Sequence, residues 1–243
     1  MLSRFWSGTT AILAGQRYLT FNPRLWAYAA LPVLVQIVIS LAFCWMGYLV
    51  AEGAVAWVAA KMPVDGWAKP LWWAIRIGIY VSFFLLTVAF AWVVTSAVVF
   101  PLFEPLAQKV EMALGEPPGG FKPLPFWTAL KDGLLLSLEM FVVNCLCLLA
   151  HLVPGAGNVA APILSFIVNA YFVGFALFEF SLSIRGFRRS EKKLWVNQHL
   201  GEVLGVGTIA FFFNLIPILG AVLLAPAVVG AVLRHRERDD TMR

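Results

Sequence analysis

Charge is scarce in this chain. Of its 243 residues only 13% are Asp, Glu, Lys or Arg, against 61% hydrophobic, and the mean hydropathy is +0.84. Soluble domains carry roughly a quarter charged residues, so a soluble globular fold is excluded. Cysteine is scarce too: Cys44, Cys145 and Cys147 all lie in apolar runs, which gives neither a disulfide framework nor a metal site. Catalytic signatures are missing. There is no G-x-S-x-G, H-E-x-x-H or phosphate-binding loop, and His151, His199 and His235 are far apart in sequence. These gaps argue against an enzyme and call for no cofactor. The N-terminal stretch lacks the apolar core of a cleavable signal peptide, because Arg4 and Arg17 bracket residues that include Gly and Thr. Insertion is therefore expected to rely on later spans.

What the chain has is long uncharged runs. Leu25–Ala51 and Ile77–Phe103 are 27 residues each. At about 1.5 Å per residue each reaches about 40 Å, more than the roughly 30 Å hydrocarbon core of a bilayer. Transmembrane helices are expected over 24–51 and 77–103. Between them, Met62-Pro63-Val64-Asp65-Gly66 and Lys69-Pro70 are turn signals, and Trp67, Trp72 and Trp73 suit an interface, so Glu52 to Arg76 reads as a loop on the far side.

The third run, Met140–Phe178, has 39 residues and is broken by Pro154-Gly155-Ala156-Gly157-Asn158, which predicts two antiparallel helices within 133–184. The fourth, Val203–Leu233, is broken at Pro217 into arms of 14 and 16 residues. Arms of about 21 to 24 Å fall short of a bilayer, so a re-entrant hairpin is expected over 203–233. The breaks resemble one another: Leu152-Val153-Pro154 precedes Gly157 and Pro162, and Leu215-Ile216-Pro217 precedes Gly220 and Pro226. That spacing is a weak internal repeat of two helical hairpins.

Twelve of the eighteen Lys and Arg residues lie in three places: Arg4, Arg17 and Arg24; the block Arg185, Arg188, Arg189, Lys192 and Lys193; and Arg234, Arg236, Arg238 and Arg243. The positive-inside rule puts all three in the cytoplasm and accounts for the net charge of +5 without nucleic acid. Residues 1–23 form an amphipathic N-terminal segment, 104–132 a cytoplasmic amphipathic connector, 185–202 a basic cytoplasmic segment and 234–243 a cytoplasmic tail. In the connector, Phe103, Leu106, Val110 and Leu114 share one helical face and Glu104, Gln108 and Glu111 another, which predicts a helix lying on the membrane surface.

Two groups of residues are candidate sites. Asn22-Pro23-Arg24 reads as a helix start, with Asn at the N-cap and Pro at the first helical position, where backbone N–H groups and a guanidinium could hold an oxyanion around Asn22, Arg24 and Leu25. The alternative is an arginine anchored among lipid headgroups. The second group is Glu139, Asn144, His151, Asn169 and Glu179, polar residues within or beside the third run. Such groups mark a solute or proton path, or else fix the hairpin by interhelical hydrogen bonds.

In order along the chain, Asn22-Pro23 with Leu31-Pro32, Phe103-Glu104-Pro105-Leu106 with Glu111 and Gly115, Val153-Pro154-Gly155-Ala156-Gly157 with Ala161-Pro162, and Ile216-Pro217 with Ala225-Pro226 resemble the CysZ family of sulfate permeases, within the etoposide-induced membrane protein superfamily. The resemblance implies an all-α integral membrane protein: two long transmembrane helices, two partly penetrating hairpins and amphipathic surface helices. It further implies a homodimer or higher homo-oligomer in the bacterial inner membrane that moves sulfate inward for cysteine synthesis. It places an anion site at the start of the first long helix, where the family carries Gly, an aliphatic residue and Arg. Counted back from Leu31-Pro32, those positions here read Arg24, Leu25, Trp26 and Ala27, so Arg24 would supply the charge from a shifted position. The other class the superfamily admits is a non-transporting membrane protein that organises lipid or partners.

Overall fold

The computed structural model describes residues 2–62, 66–115, 120–150, 156–214 and 217–241. Among these residues every regular element is helical. The helices are α1 (Leu2–Thr9), α2 (Ala11–Phe21), α3 (Trp26–Ala59), α4 (Lys69–Ala113), α5 (Phe126–Leu149), α6 (Ala156–Ile184), α7 (Arg189–Gln198), α8 (Leu200–Asn214) and α9 (Pro217–Thr241), with short 3₁₀ turns at Pro23–Leu25 and Gly66–Ala68. Four stretches are long and apolar enough to cross a bilayer: Pro23–Ala59, Lys69–Val88, Phe126–Leu149 and Gly157–Ile184. The all-α membrane class read from the uncharged runs is the class observed.

The chain divides into two compact units, Val35–Ser96 and Met1–Leu34 with Ala97–Arg243. The first is a helical hairpin made from most of α3 and the first part of α4. Leu41, Trp45, Leu49, Phe84 and Leu85 are all exposed on it, a distribution suited to lipid and not to water. Its arms touch where a Cβ on Gly47 would fall 2.1 Å from Thr87 Oγ1. Both helices overrun their expected ends. α3 continues eight residues past Ala51 and α4 starts eight before Ile77. The expected loop from Glu52 to Arg76 is therefore mostly helix, with Glu52 on α3 and Lys69 and Arg76 on α4. Pro63, Val64 and Asp65 lie outside the described residues.

The second unit is a helical bundle. α6 packs against α5 on one side and against α8 and α9 on another, while α1 lies on α8 and α2 on α9. Small residues set these crossings: a Cβ on Gly207 would meet Ala170 O at 1.8 Å, one on Gly15 would meet Pro226 O at 2.0 Å, and one on Gly205 would meet Phe5 O at 2.2 Å. Backbones that approach this closely pack by van der Waals contact where no hydrophobic force operates between helices. The N-terminal segment is thus packed against the second hairpin, burying Ala11, Ile12, Gly15 and Leu19.

The connector expected over 104–132 is divided. Its first ten residues extend α4, and its last seven open α5. Phe103, Leu106 and Val110 form the buried face as the periodicity requires, but Glu111 is fully buried beside them and not on the polar face. Residues between the two helices clip the end of α6: Lys122 N–H donates to Ile184 O at 3.1 Å and Leu124 N–H to Ser183 O at 3.2 Å. Gly186, at φ 77°, turns the chain there into α7. The basic segment is α7, stabilised at its start by Arg188 N–H donating to Glu191 Oε2 at 2.7 Å. The expected tail also continues as helix, since α9 runs to Thr241. Of the first break, Pro154 and Gly155 lie outside the described residues and Ala156, Gly157 and Asn158 open α6; beside the second, Leu215 and Ile216 lie outside and Pro217 opens α9. Pro162 sits inside α6 and Pro226 inside α9.

Candidate functional site

The turn between α2 and α3 has a definite donor inventory. Asn22 occupies the position before the 3₁₀ turn, but its side chain does not cap it; Asn22 Nδ2 donates back to Tyr18 O at 2.8 Å. Pro23 has no N–H, Leu25 N–H donates to Asn22 O at 3.0 Å, and Trp26 N–H donates to Pro23 O. Trp26 Nε1 ties the turn down by donating to Leu19 O at 2.9 Å. The Leu25 side chain is buried and that of Arg24 is exposed. The turn spends the Asn22 amide and the Leu25 and Trp26 N–H groups internally, so the Arg24 guanidinium is its main outward donor.

Asn144 and Asn169 meet across α5 and α6. Asn169 Nδ2 donates to Asn144 Oδ1 at 2.9 Å, and Asn144 Nδ2 reaches Asn169 Oδ1 at 3.5 Å. Glu139 lies elsewhere, in an ion cluster with Arg189 at 2.8 Å and Lys193 at 2.8 Å. Glu179 joins a third group: Lys192, 1% exposed, donates to Asp132 Oδ2 at 2.8 Å and Glu179 Oε1 at 3.1 Å. Glu104, its carboxyl pushed up by burial and held back by Lys192, is close to this group. His151 falls outside the described residues. The structure thus brings Asn144 and Asn169 together and gives Glu139 and Glu179 separate cationic partners on α7.

Outside the two candidate groups, Glu111, Ser181, Arg185 and His235 form a closed hydrogen-bonded ring. Arg185 holds Glu111 Oε1 through Nε at 3.1 Å and Nη2 at 2.8 Å. Ser181 Oγ donates to the same oxygen at 3.0 Å and lies 2.6 Å from His235 Nδ1, and Arg185 Nη1 lies 3.3 Å from His235 Nε2. All five contacts are satisfied by a neutral imidazole with its proton on Nδ1, donating to Ser181 and accepting from Arg185. Burial, then the Arg185 charge, then His199 hold His235 well below the ordinary imidazole value. Trp195 walls this site, stacked on His199 at 4.3 Å and edge-on to His235 at 4.7 Å. In the sequence Glu111 showed only as part of a polar helix face, Arg185 as part of a basic block and His235 as an isolated histidine, with nothing to pair them.

In the α3–α4 hairpin, Tyr80 Oη donates to Glu52 Oε1 at 2.5 Å, with Tyr48 and Arg76 beside the carboxylate. A cavity of about 380 Å³ borders them, lined mainly by apolar groups with Tyr48, Tyr80 and Thr87. The flanking charges Glu52 and Arg76 were visible in the sequence as the ends of two uncharged runs, but not as neighbours.

Apolar helices of crossing length, glycine-packed contacts and ion pairs gathered around α7 define an all-α integral membrane protein. The chain belongs to the family described as sulfate transporter CysZ/etoposide-induced protein 2.4, whose model matches residues 11–225. It is thus a membrane protein of a sulfate-transporter-like family. Among curated proteins none matches the chain.

Proposed function

We propose that this protein is a permease or channel that carries sulfate, or a related small oxyanion, into the bacterial cytoplasm to supply cysteine synthesis. The observation that carries this reading is the exposed Arg24 at a helix start, inside a family match spanning residues 11–225. A guanidinium offers a fork of N–H donors suited to an oxyanion. No catalytic step is involved.

Both hairpins enter the membrane partway in this reading. Glu139 and Lys193 have side chains 40% and 42% exposed, and charges so exposed belong at the headgroup level. From Glu139 to the end of α5 at Leu149 is ten residues, about 15 Å or half the hydrocarbon thickness. α8 has 15 residues, about 22 Å. With α3 and α4 as full spans, the N-terminus, α7 and the C-terminal end of α9 share the cytoplasmic side, as the positive-inside rule requires. Two full spans and two partial hairpins enclose little water, so the working form is a homo-oligomer, with a two-fold dimer the simplest closed assembly.

Uptake of radiolabelled sulfate into proteoliposomes, with selenate and sulfite as competitors, tests the reading. Uptake above protein-free vesicles that the competitors reduce supports it. Uptake no greater than in those vesicles would favour the non-transporting, lipid-organising class.

A further inference from the structure

Where the second hairpin leaves its uncharged run, a cavity of about 180 Å³ is lined by Ser7 of α1, Glu202 of α8, and Arg234, Glu237 and Arg238 of α9. Glu202 is 1% exposed. Its Oε1 is ion-paired with Arg238, while its buried Oε2 has no hydrogen-bond partner among the described residues. Arg234 donates through Nη1 to Glu237 Oε2 at 2.6 Å and through Nη2 to Thr10 Oγ1 at 2.8 Å, yet its buried Nε is unmatched among the same residues. Glu202 and Arg234 both line this space, and each carries one buried polar atom without a partner among the described residues, which is costly unless something pairs with it.

The charges specify the occupant. Two carboxylates and two guanidiniums sum to zero, so a ligand of either net charge would meet a repelling pair, whereas a neutral zwitterion is matched at both ends. The Glu202 oxygen accepts, so the cationic end must carry N–H donors, which a primary ammonium has and a quaternary one lacks. Depth specifies the source. Glu202 immediately precedes the run Val203–Leu233 and Arg234 immediately follows it, which puts the cavity at the boundary between apolar and polar surroundings. Trp6 and Leu13, 65% and 71% exposed on the adjoining N-terminal helices, suit the same interfacial level. The volume equals about six waters at roughly 30 Å³ each, the scale of a small headgroup.

We propose that this cavity binds the headgroup of a phosphatidylethanolamine-class phospholipid, its phosphate on Arg234 Nε–H beside Arg238 and its ammonium on Glu202 Oε2 beside Glu237. The lipid joins α1, α8 and α9 across the cavity and completes the hydrogen bonding of Glu202. A soluble phosphoethanolamine has the same two charged ends, and the test separates the two.

The full-length protein in nanodiscs with equal amounts of phosphatidylethanolamine, phosphatidylcholine and phosphatidylglycerol is released and its retained lipid counted by native mass spectrometry. Phosphatidylethanolamine is expected in excess by about fivefold or more, the scale of one charge-assisted contact. Glu237→Gln and Arg234→Gln should each remove most of that excess while leaving the folded fraction unchanged. Glu202→Gln should remove it entirely where the variant folds. Equal retention of the three lipids, a preference for phosphatidylglycerol, or an excess unchanged in both Glu237→Gln and Arg234→Gln overturns the proposal. So does O-phosphoethanolamine binding to delipidated protein that phosphatidylethanolamine fails to displace.

Discussion

His235 donates to Ser181 across 2.6 Å, and the other face of the ring is turned to the Arg185 guanidinium at 3.3 Å. A second proton on the imidazole would point at a cation inside a buried site. Burial first, and Arg185 second, keep the folded ring neutral below the ordinary value of 6.5. As pH falls through about 6.5 the unfolded chain takes up a proton that the folded chain refuses, so stability is full above that value and declines below it, by at most about 1.4 kcal/mol per pH unit. Glu104 has the opposite sign: its carboxyl is raised by burial, so its contribution is full below the unfolded value of 4.5 and is lost as pH rises. Thermal unfolding from pH 7.5 to 5.5 should show a falling midpoint, and His235→Gln should flatten the decline. A decline of equal steepness in the variant would assign it to other groups.

The Lys192 ammonium bridges two carboxylates, and all three residues are buried. Removing it with Lys192→Met strands Asp132 and Glu179, a change expected to cost about 3–5 kcal/mol. Lys193, one position along but 42% exposed, pairs with a half-exposed Glu139; Lys193→Ala should cost no more than about 1 kcal/mol. Thermal denaturation of both variants in one detergent gives the comparison, and a similar loss in the two would mean that burial does not distinguish them.

The basic block shows where sequence reading stopped. Uncharged runs exposed α3 and α4 because a bilayer forbids charge over about 20 residues. The breaks at Pro154 and Pro217 fall where α5 gives way to α6 and α8 to α9. Pairings across the chain leave no periodic trace. Glu111 falls with Glu104 and Gln108 at helical spacing and reads as polar surface, yet its partner Arg185 is 74 residues away and draws it fully inside. Glu52 reads as the end of a span, but Tyr80 receives it on the neighbouring helix and α3 continues. Asn144 and Asn169 were visible as polar positions in an apolar run; their meeting required the antiparallel register of α5 and α6.

That Asn pair separates a structural role from a path. Asn144→Ala, Asn169→Ala and the double variant should give a coupling energy of about 0.6 kcal/mol and at most about 1.7 kcal/mol, the range for hydrogen bonds between membrane helices. Sulfate uptake per folded molecule should be unchanged if the pair only fixes the hairpin. Lost uptake with unchanged thermal midpoints would instead place the amides in the conduction path.

Topology is tested by single cysteines at positions 65, 190 and 240 in a chain with Cys44, Cys145 and Cys147 replaced. An impermeant maleimide added to intact cells should label Asp65→Cys and spare Ser190→Cys and Asp240→Cys, since the basic residues concentrate around the latter two. Labelling at position 190 in sealed, correctly oriented cells would defeat the arrangement.

The proposed anion site rests on Arg24. With the Leu25 and Trp26 N–H groups bonded to Asn22 and Pro23 carbonyls, and the Asn22 amide bonded to Tyr18, backbone binding of an oxyanion is largely spent within the turn. Affinity must then come chiefly from the guanidinium. Arg24→Ala should lower sulfate affinity tenfold or more, since charge-assisted hydrogen bonds are worth about 1.5–3 kcal/mol. Arg24→Lys keeps the charge but loses the planar fork, so its affinity should fall between the two. Leu25→Ala removes a buried side chain and should lower the unfolding midpoint with little effect on the affinity of folded protein. An arginine that merely anchors the helix among headgroups predicts a different order: Lys replaces it fully and Ala leaves sulfate binding intact. Calorimetric titration of the four proteins with sulfate at low ionic strength distinguishes the two, and undiminished binding by Arg24→Ala would remove the site from this turn.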